Sequence, residues 1–148
     1  MNADERLEAI EAIKQLKARY FRCMDTKDWD GFADQFAPDA VMDVSGEMGD
    51  GADPEVGIIR NNREIAAFVR GAVGDVLTVH HGHMPEIEIT SNTTARGVWS
   101  MGDMLRWPEG APMHEMHGYG HYHETYEKVD GRWRIKTLKL TRLRIDLA

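Results

Sequence analysis

The sequence contains a single cysteine, Cys23, so no disulfide can form within the chain. It has no apolar run near the roughly 20 residues that a membrane-spanning helix needs, and no apolar leader followed by a small-residue cleavage site. Basic residues are in the minority, 18 Lys and Arg against 25 Asp and Glu, which gives a net charge of −7. These absences predict a cytoplasmic protein that binds neither duplex nucleic acid nor an anionic membrane surface.

Histidine is absent from most of the chain, because all seven histidines lie between His80 and His123. Imidazole is a common zinc ligand, so a metal site is one hypothesis. The histidine spacing matches no established metal motif, and Cys23 has no second thiol to join it. We therefore expect no metal and no other cofactor, and keep a histidine metalloprotein as an alternative.

The first half of the chain has helical periodicity. Apolar residues recur at intervals of three and four over residues 4–27, which predicts a helix with Asp4 as its cap. The aromatic residues Trp29, Phe32 and Phe36, at positions i, i+3 and i+7, predict a second, short helix that Pro38 stops. A third helix is predicted with Asn62 as its cap and an end near Gly71 or Gly74.

Between the second and third helices, Ala40–Val44 is a predicted strand and Gly46–Gly57 a predicted loop. This loop is rich in glycine and acidic residues. Two interpretations remain open: a mobile acidic surface loop, or a lid over a pocket.

The second half changes to a strand pattern, with four long strands separated by three turn signals. Asp130-Gly131 is the strongest of these signals for a hairpin. Helices followed by an antiparallel meander predict one α+β domain over residues 1–148, in which the helices cover one face of a curved sheet. The predicted strands are Val76–Ile89, Thr94–Trp107, His117–Lys128 and Arg132–Ile145.

Alternation along the third of these strands separates two sets of side chains. The odd positions carry His117, Tyr119, His121 and His123. The even positions carry two glycines, which leave the space that a cavity wall requires. The three histidines are therefore predicted to face away from the cavity. The even positions are Gly118, Gly120, Tyr122, Glu124 and Tyr126.

Asp25 ends the apolar stripe of the first predicted helix, where an acid opposes the helix dipole. One interpretation is an ordinary residue that starts the following turn. The other is an Asp–His dyad, in which the carboxylate orients an imidazole that accepts a proton. The imidazole would come from the histidines of the first long strand, which are His80, His81 and His83.

Several motifs, taken in order, resemble the nuclear transport factor 2 superfamily, also called SnoaL-like. They are Y-x-x-x-x-D at Tyr20–Asp25, F-A-P-D-A, the strand H-H-G-H-M-P-E-I-E-I, and Y-x-x-x-Y-x-x-x-D-G-x-W-x-I from Tyr122 to Ile135. The resemblance covers nearly the whole chain. It is strongest to the branch with scytalone dehydratase, hexachlorocyclohexane dehydrochlorinase and bile acid 7α-dehydratase.

The resemblance implies a cone-shaped α+β barrel, formed by a curved mixed or antiparallel sheet around the N-terminal helices and enclosing an apolar pocket. It also implies a cofactor-free dyad in which Asp25 supports His80. His81 is the alternative base, because Met84 stands where many members have Asn and the alignment of this strand with the family can therefore shift by one residue. Strand alternation does not separate the two histidines, since Gly82 and Pro85 allow a bulge. Tyr20 and Tyr122 are candidates to donate a hydrogen bond to a leaving hydroxyl or a developing oxyanion, with core packing as the alternative. Candidate substrate-binding residues are Met42, His81, Met101, Asp103, Leu138 and Arg142.

The resemblance therefore predicts a lyase that eliminates water from a hydrophobic cyclic or aromatic alcohol. The strand Thr94–Trp107 departs from scytalone dehydratase because it has Met101 and Asp103 and no second catalytic histidine. An isomerase or a carbon–carbon lyase with the same base, and a non-catalytic binding or assembly module, are the alternatives. By analogy with relatives we expect a homotrimer, with a dimer as the second choice.

Overall fold

A computed structural model describes all of residues 1–148 and contains three α-helices and six strands. The helices are α1 (Ala3–Asp25), α2 (Trp29–Asp34) and α3 (Asn62–Val73). The strands are β1 (Phe36–Asp43), β2 (Ile58–Arg60), β3 (Leu77–Ile89), β4 (Thr94–Arg106), β5 (Glu115–Val129) and β6 (Arg132–Leu147). None of the helices is long and apolar enough to cross a membrane.

The six strands form one mixed sheet in the order β2-β1-β6-β5-β4-β3. Neighbours are antiparallel except β1 and β6, which run parallel. The edge strands β2 and β3 do not pair with each other, so the sheet is open and does not close into a barrel. The helices pack against its inner face around one hydrophobic core. This arrangement confirms the predicted α+β fold, with a sheet that wraps around the helices.

The predicted helices are present, but two of their caps differ by one or two residues. Asn2 caps α1 and forms a capping box with Glu5, whereas Asp4 lies in the first turn, where its charge complements the helix dipole. Asn61 caps α3 by accepting hydrogen bonds from two backbone N–H groups, so Asn62 is already the first helical residue. The expectation that Asp4 is the cap was therefore wrong.

Strand β1 begins earlier than predicted, because Phe36 belongs to the sheet and not to α2. Phe36 is fully buried and pairs with Ile135 of β6. Pro38, which has no N–H to donate, lies where the register of β1 shifts between Phe36 and Val41. The three-residue strand β2 was not predicted, since it is too short to show a period.

The four long strands lie within two residues of their predicted ends. In the β5–β6 turn, Asp130 and Gly131 both have positive φ, 51° and 77°, as a type I′ hairpin turn requires. On β5 every even position from 118 to 126 is buried, and the odd positions are exposed or partly exposed. The alternation predicted for β5 is confirmed, and it directs one row of side chains into the interior.

Candidate active site

An apolar cavity of about 210 Å³ lies among α1, α3 and the inner face of the sheet. Thirteen of its 17 lining residues are hydrophobic. The others, Glu47, His80, Asp103 and Arg142, contact one another and form its polar end. Wider depressions, such as one of about 620 Å³ on β3–β6, are lined mainly by polar residues. Small-molecule sites are typically apolar with a few convergent polar groups, so this smaller cavity is the candidate site.

Asp25, the last residue of α1, is fixed against His80 on β3. One carboxylate oxygen lies 2.7 Å from His80 Nδ1, and the other accepts a hydrogen bond of 2.9 Å from the His80 backbone N–H. The hydroxyl of Thr78 donates a further hydrogen bond of 2.9 Å to the first oxygen. The His80 ring also stacks on Phe21, with ring planes 13° apart. Asp25 and His80 therefore form a rigid pair.

The contacts of Asp25 determine which ring nitrogen of His80 is free. An ionised carboxylate only accepts hydrogen bonds, so Nδ1 must carry the proton that is shared with Asp25. In the neutral ring Nε2 is then unprotonated and able to accept a proton. Nε2 lies 3.8 Å from Asp103 Oδ2, at the polar end of the cavity. An imidazolium formed by proton uptake would lie between the two carboxylates of Asp25 and Asp103.

Asp103 on β4 is held in place by Arg142 on β6 through two parallel hydrogen bonds of 2.6 and 3.0 Å. The guanidinium also donates to Glu47, at 2.7 Å. Burial lowers the pKa of Arg142, but the bonds to Asp103 and Glu47 outweigh it and raise the pKa above its usual value. Gly118 of β5 leaves room for this cluster, because a Cβ there would overlap both the guanidinium and the carboxylate.

Tyr20 of α1 and Tyr122 of β5 form part of the cavity wall, with ring centroids 5.9 Å apart. Burial raises the pKa of both phenols above the usual value, which keeps their hydroxyls protonated. Behind them, the Lys17 ammonium lies 3.7 Å from each ring centroid. Two neutral phenols supported by a cation can donate hydrogen bonds to a substrate oxygen.

The structure brings most of the predicted site residues together. Tyr20, Met42, His80, Asp103, Tyr122, Leu138 and Arg142 line the cavity. Asp25 does not line it and instead contacts the Nδ1 side of the His80 ring. Met101 is buried with its sulfur 3.8 Å from Arg142 Nη1 and does not line the cavity either.

The expectation that His81 binds substrate or replaces His80 does not agree with its position. His81 is exposed on the outer face of β3, whereas His80 is buried on the inner face. The irregularity of β3 lies between His83 and Glu86, beyond both histidines, so strict alternation still separates them. Met84, with a positive φ of 30°, belongs to this irregularity.

The remaining histidines do not converge on one point. His117 binds Glu115 and His123 binds Thr141 on the outer side of the sheet. No three His, Cys, Asp or Glu side chains in the chain are arranged to hold a metal ion. The structure therefore gives no support to the metalloprotein alternative.

Several residues of the site were not singled out from the sequence. Thr78 precedes His80 by two residues on the same face of β3, so strand alternation could have found it. Glu47 and Met48 reach the cavity from the segment predicted as a loop, and no periodic signal marks them. Helix α3 contributes an apolar stripe to the cavity wall: Phe68, Val69, Ala72 and Val73.

Comparison with known proteins agrees with this architecture. Residues 5–139 match the model of the SnoaL-like domain family. A relative named "Probable cyclase FGR4", from Gibberella zeae, is 27% identical over 144 residues, which cover 92% of this chain and 92% of the relative.

Two solved structures have the same fold at low sequence identity. A scytalone dehydratase-like protein from Novosphingobium aromaticivorans has a TM-score of 0.83 and 21% identity, over 98% of this chain and 91% of the other. A hexachlorocyclohexane dehydrochlorinase, LinA-type3 from Novosphingobium barchaimii, has a TM-score of 0.82 and 19% identity, over 99% and 94% of the two chains. The family match spans most of the sequence and agrees with the fold, and the chain belongs to the SnoaL-like family.

Proposed function

We propose that this protein is a cofactor-independent lyase of the dehydratase type, acting on a small hydrophobic cyclic or aromatic alcohol. The main support is the pairing of His80 with Asp25, which leaves Nε2 at the polar end of an apolar cavity. Such an arrangement suits a general base that removes a proton from carbon in the absence of bulk water. The names of the relatives, which include a dehydrochlorinase, support an enzyme of this broad type.

In the proposed reaction, His80 Nε2 takes a proton from the carbon next to the one that carries the hydroxyl. The electron pair of the C–H bond forms the new C=C bond while the C–O bond breaks. The departing hydroxide takes up the proton that His80 Nε2 removed, while Tyr20 or Tyr122 donates a hydrogen bond to the leaving oxygen, so one water leaves and the base is regenerated. General acid–base catalysis supplies about 10²- to 10⁴-fold, and positioning in the cavity supplies more.

Two other reactions would use the same base. An isomerase would return the proton to a different carbon and so move a double bond. A carbon–carbon lyase would take the proton of a hydroxyl group and release a carbonyl fragment. The reverse of that cleavage closes a ring, and the relative named as a cyclase favours this second candidate. The homotrimer and the cytoplasmic location stay predictions.

Product analysis distinguishes these reactions with small probes. We expect the wild-type protein to convert 3-hydroxycyclohexanone into cyclohex-2-enone and water, as followed by proton NMR. Conversion of cyclohex-3-enone into cyclohex-2-enone, with no dehydration, would favour the isomerase. Formation of 5-oxohexanal would favour carbon–carbon cleavage. Binding of the probes by calorimetry with no turnover of any of them would contradict the lyase and favour a binding module.

A further inference from the structure

The segment Ser45–Gly57, called here the cover segment, connects β1 to β2 and forms part of the cavity wall. It contains two short 3₁₀ turns, Ser45–Glu47 and Pro54–Gly57. Between them Gly49 and Gly51 have positive φ, 83° and 81°. A backbone hydrogen bond of 2.8 Å from the N–H of Val44, the residue before the segment, to the C=O of Gly57, its last residue, holds the two ends close together. Glu47 and Met48 face the cavity, so the position of this segment sets the cavity's size.

One side-chain hydrogen bond links the cover segment to the sheet beyond β1 and β2. Arg142 Nε of β6 donates to Glu47 Oε1 at 2.7 Å, with 15% of the Arg142 side chain exposed and 26% of the Glu47 side chain. The other side-chain bonds of the segment stay within it or reach only Asp43 and Arg60, on the strands at its two ends. The Glu47–Arg142 pair therefore holds the segment over the cavity.

The far side of this link is rigid, because Asp103 fixes the same guanidinium by two further hydrogen bonds. Loss of the Glu47 contact would release the cover segment and leave Arg142 in place. A charge-assisted hydrogen bond is about twice as strong as a neutral one. Removing the charge of Glu47 is therefore expected to raise the open population of the segment about five- to tenfold.

The cavity of about 210 Å³ is small for a ligand site. A dry cavity of about 150 Å³ holds benzene, and sites for drug-sized ligands span roughly 300–1,000 Å³. The closed arrangement thus has room for one substituted ring. We propose that Glu47 determines substrate size, because its ion pair with Arg142 keeps the cover segment in a position that admits one ring and excludes fused rings. This proposal rests on the proposed function only in taking the cavity as the ligand-binding site, and it does not depend on which reaction takes place there.

Glu47→Gln and Glu55→Gln form a matched pair of variants. Both change one acid of the cover segment and conserve side-chain volume, but Glu55 pairs with Arg60 on the surface and does not line the cavity. In hydrogen–deuterium exchange followed by mass spectrometry, we expect the amides of residues 44–48 to exchange about five- to tenfold faster in Glu47→Gln than in wild type. Glu55→Gln should exchange at the wild-type rate.

Binding of two neutral probes, measured by calorimetry, tests whether Glu47 limits the size of the ligand that the cavity accepts. Wild type should prefer benzyl alcohol to 2-naphthalenemethanol, and this preference should fall about five- to tenfold in Glu47→Gln but not in Glu55→Gln. Equal exchange rates and equal preferences in the two variants would overturn the proposal. Failure of both probes to bind wild type would overturn it as well, since the cavity would then not be the ligand site. No turnover is measured, so a protein that binds but does not eliminate water would leave this test intact.

Discussion

Replacing Asp25 with asparagine is expected to lower the rate of dehydration of 3-hydroxycyclohexanone by about 10²- to 10⁴-fold. The Asp25 carboxylate accepts three hydrogen bonds, from Thr78, from the His80 backbone and from His80 Nδ1. An asparagine side chain has one oxygen, and its amide group would present protons to donors. The His80 ring would then lose the contact that keeps Nε2 free to accept a proton. Initial rates with saturating probe, measured by proton NMR, give the comparison.

His80→Gln should have a similar effect, because it removes the base itself. His81→Gln is the matched control, since it changes the adjacent histidine on the outer face of β3. We expect His81→Gln to keep the wild-type rate. Circular dichroism should show that all three variants are folded. Full activity in both Asp25→Asn and His80→Gln, or loss of activity in His81→Gln alone, would contradict the assignment of the dyad.

Lys17→Met is expected to lower the free energy of unfolding by about 3–5 kcal/mol. Lys17 and Glu124 are completely buried, with Lys17 Nζ 2.6 Å from Glu124 Oε2. Burial lowers the pKa of Lys17 to about 8, against the opposing effect of Glu124. Glu124 also accepts a hydrogen bond from Tyr126, which in turn accepts one from Trp99. Methionine would leave the Glu124 charge buried without its cation, and urea unfolding at pH 7 measures the cost.

The double variant Lys17→Met/Glu124→Gln separates an unpaired charge from lost packing. Glutamine keeps an oxygen that can accept the Tyr126 hydrogen bond and removes the negative charge. Most of the lost stability should therefore return. Arg96→Met is a surface control, because Arg96 and Glu88 are an exposed pair, and it should cost less than about 1 kcal/mol. A Lys17→Met variant as stable as wild type would contradict this account of the core.

The sequence predicted most of the fold because long periodic elements dominate it. Strand alternation on β5 gave the correct inner face, and Asp130-Gly131 gave the correct turn. The predicted ends of helices and strands were wrong where two sequence signals compete. Phe36 continues the helical spacing of Trp29 and Phe32, but its burial against β6 places it in β1. Such tertiary pairing is not visible in local spacing.

Prediction of the candidate site was limited by the undecided register of β3 and by the lack of a pattern in the cover segment between β1 and β2. His80 and His81 could not be separated by alternation alone, because Gly82 and Pro85 allowed a bulge between the histidines and the rest of β3. The structure puts that irregularity after His83. Glu47 lies in a segment without periodicity, so its contact with Arg142 had no sequence signal.

The buried Lys17–Glu124 ion pair, in contrast, is indicated by the sequence pattern. Lys17 follows Ile13 by four residues and precedes Tyr20 by three, which places a charge on the apolar stripe of α1. Glu124 lies on the inner row of β5. A single opposite charge on each of two inner faces is a pattern that predicts a buried ion pair.

The proposed activity depends on removal of a proton from carbon by His80, held by Asp25. Exchange of the α-hydrogens of cyclohexanone in D₂O tests this step alone, because the probe has no leaving group, and proton NMR records the rate. We predict exchange well above the buffer rate for wild type and His81→Gln, and exchange near the buffer rate for Asp25→Asn and His80→Gln. Equal exchange by all four proteins would contradict the assignment of His80 as the base.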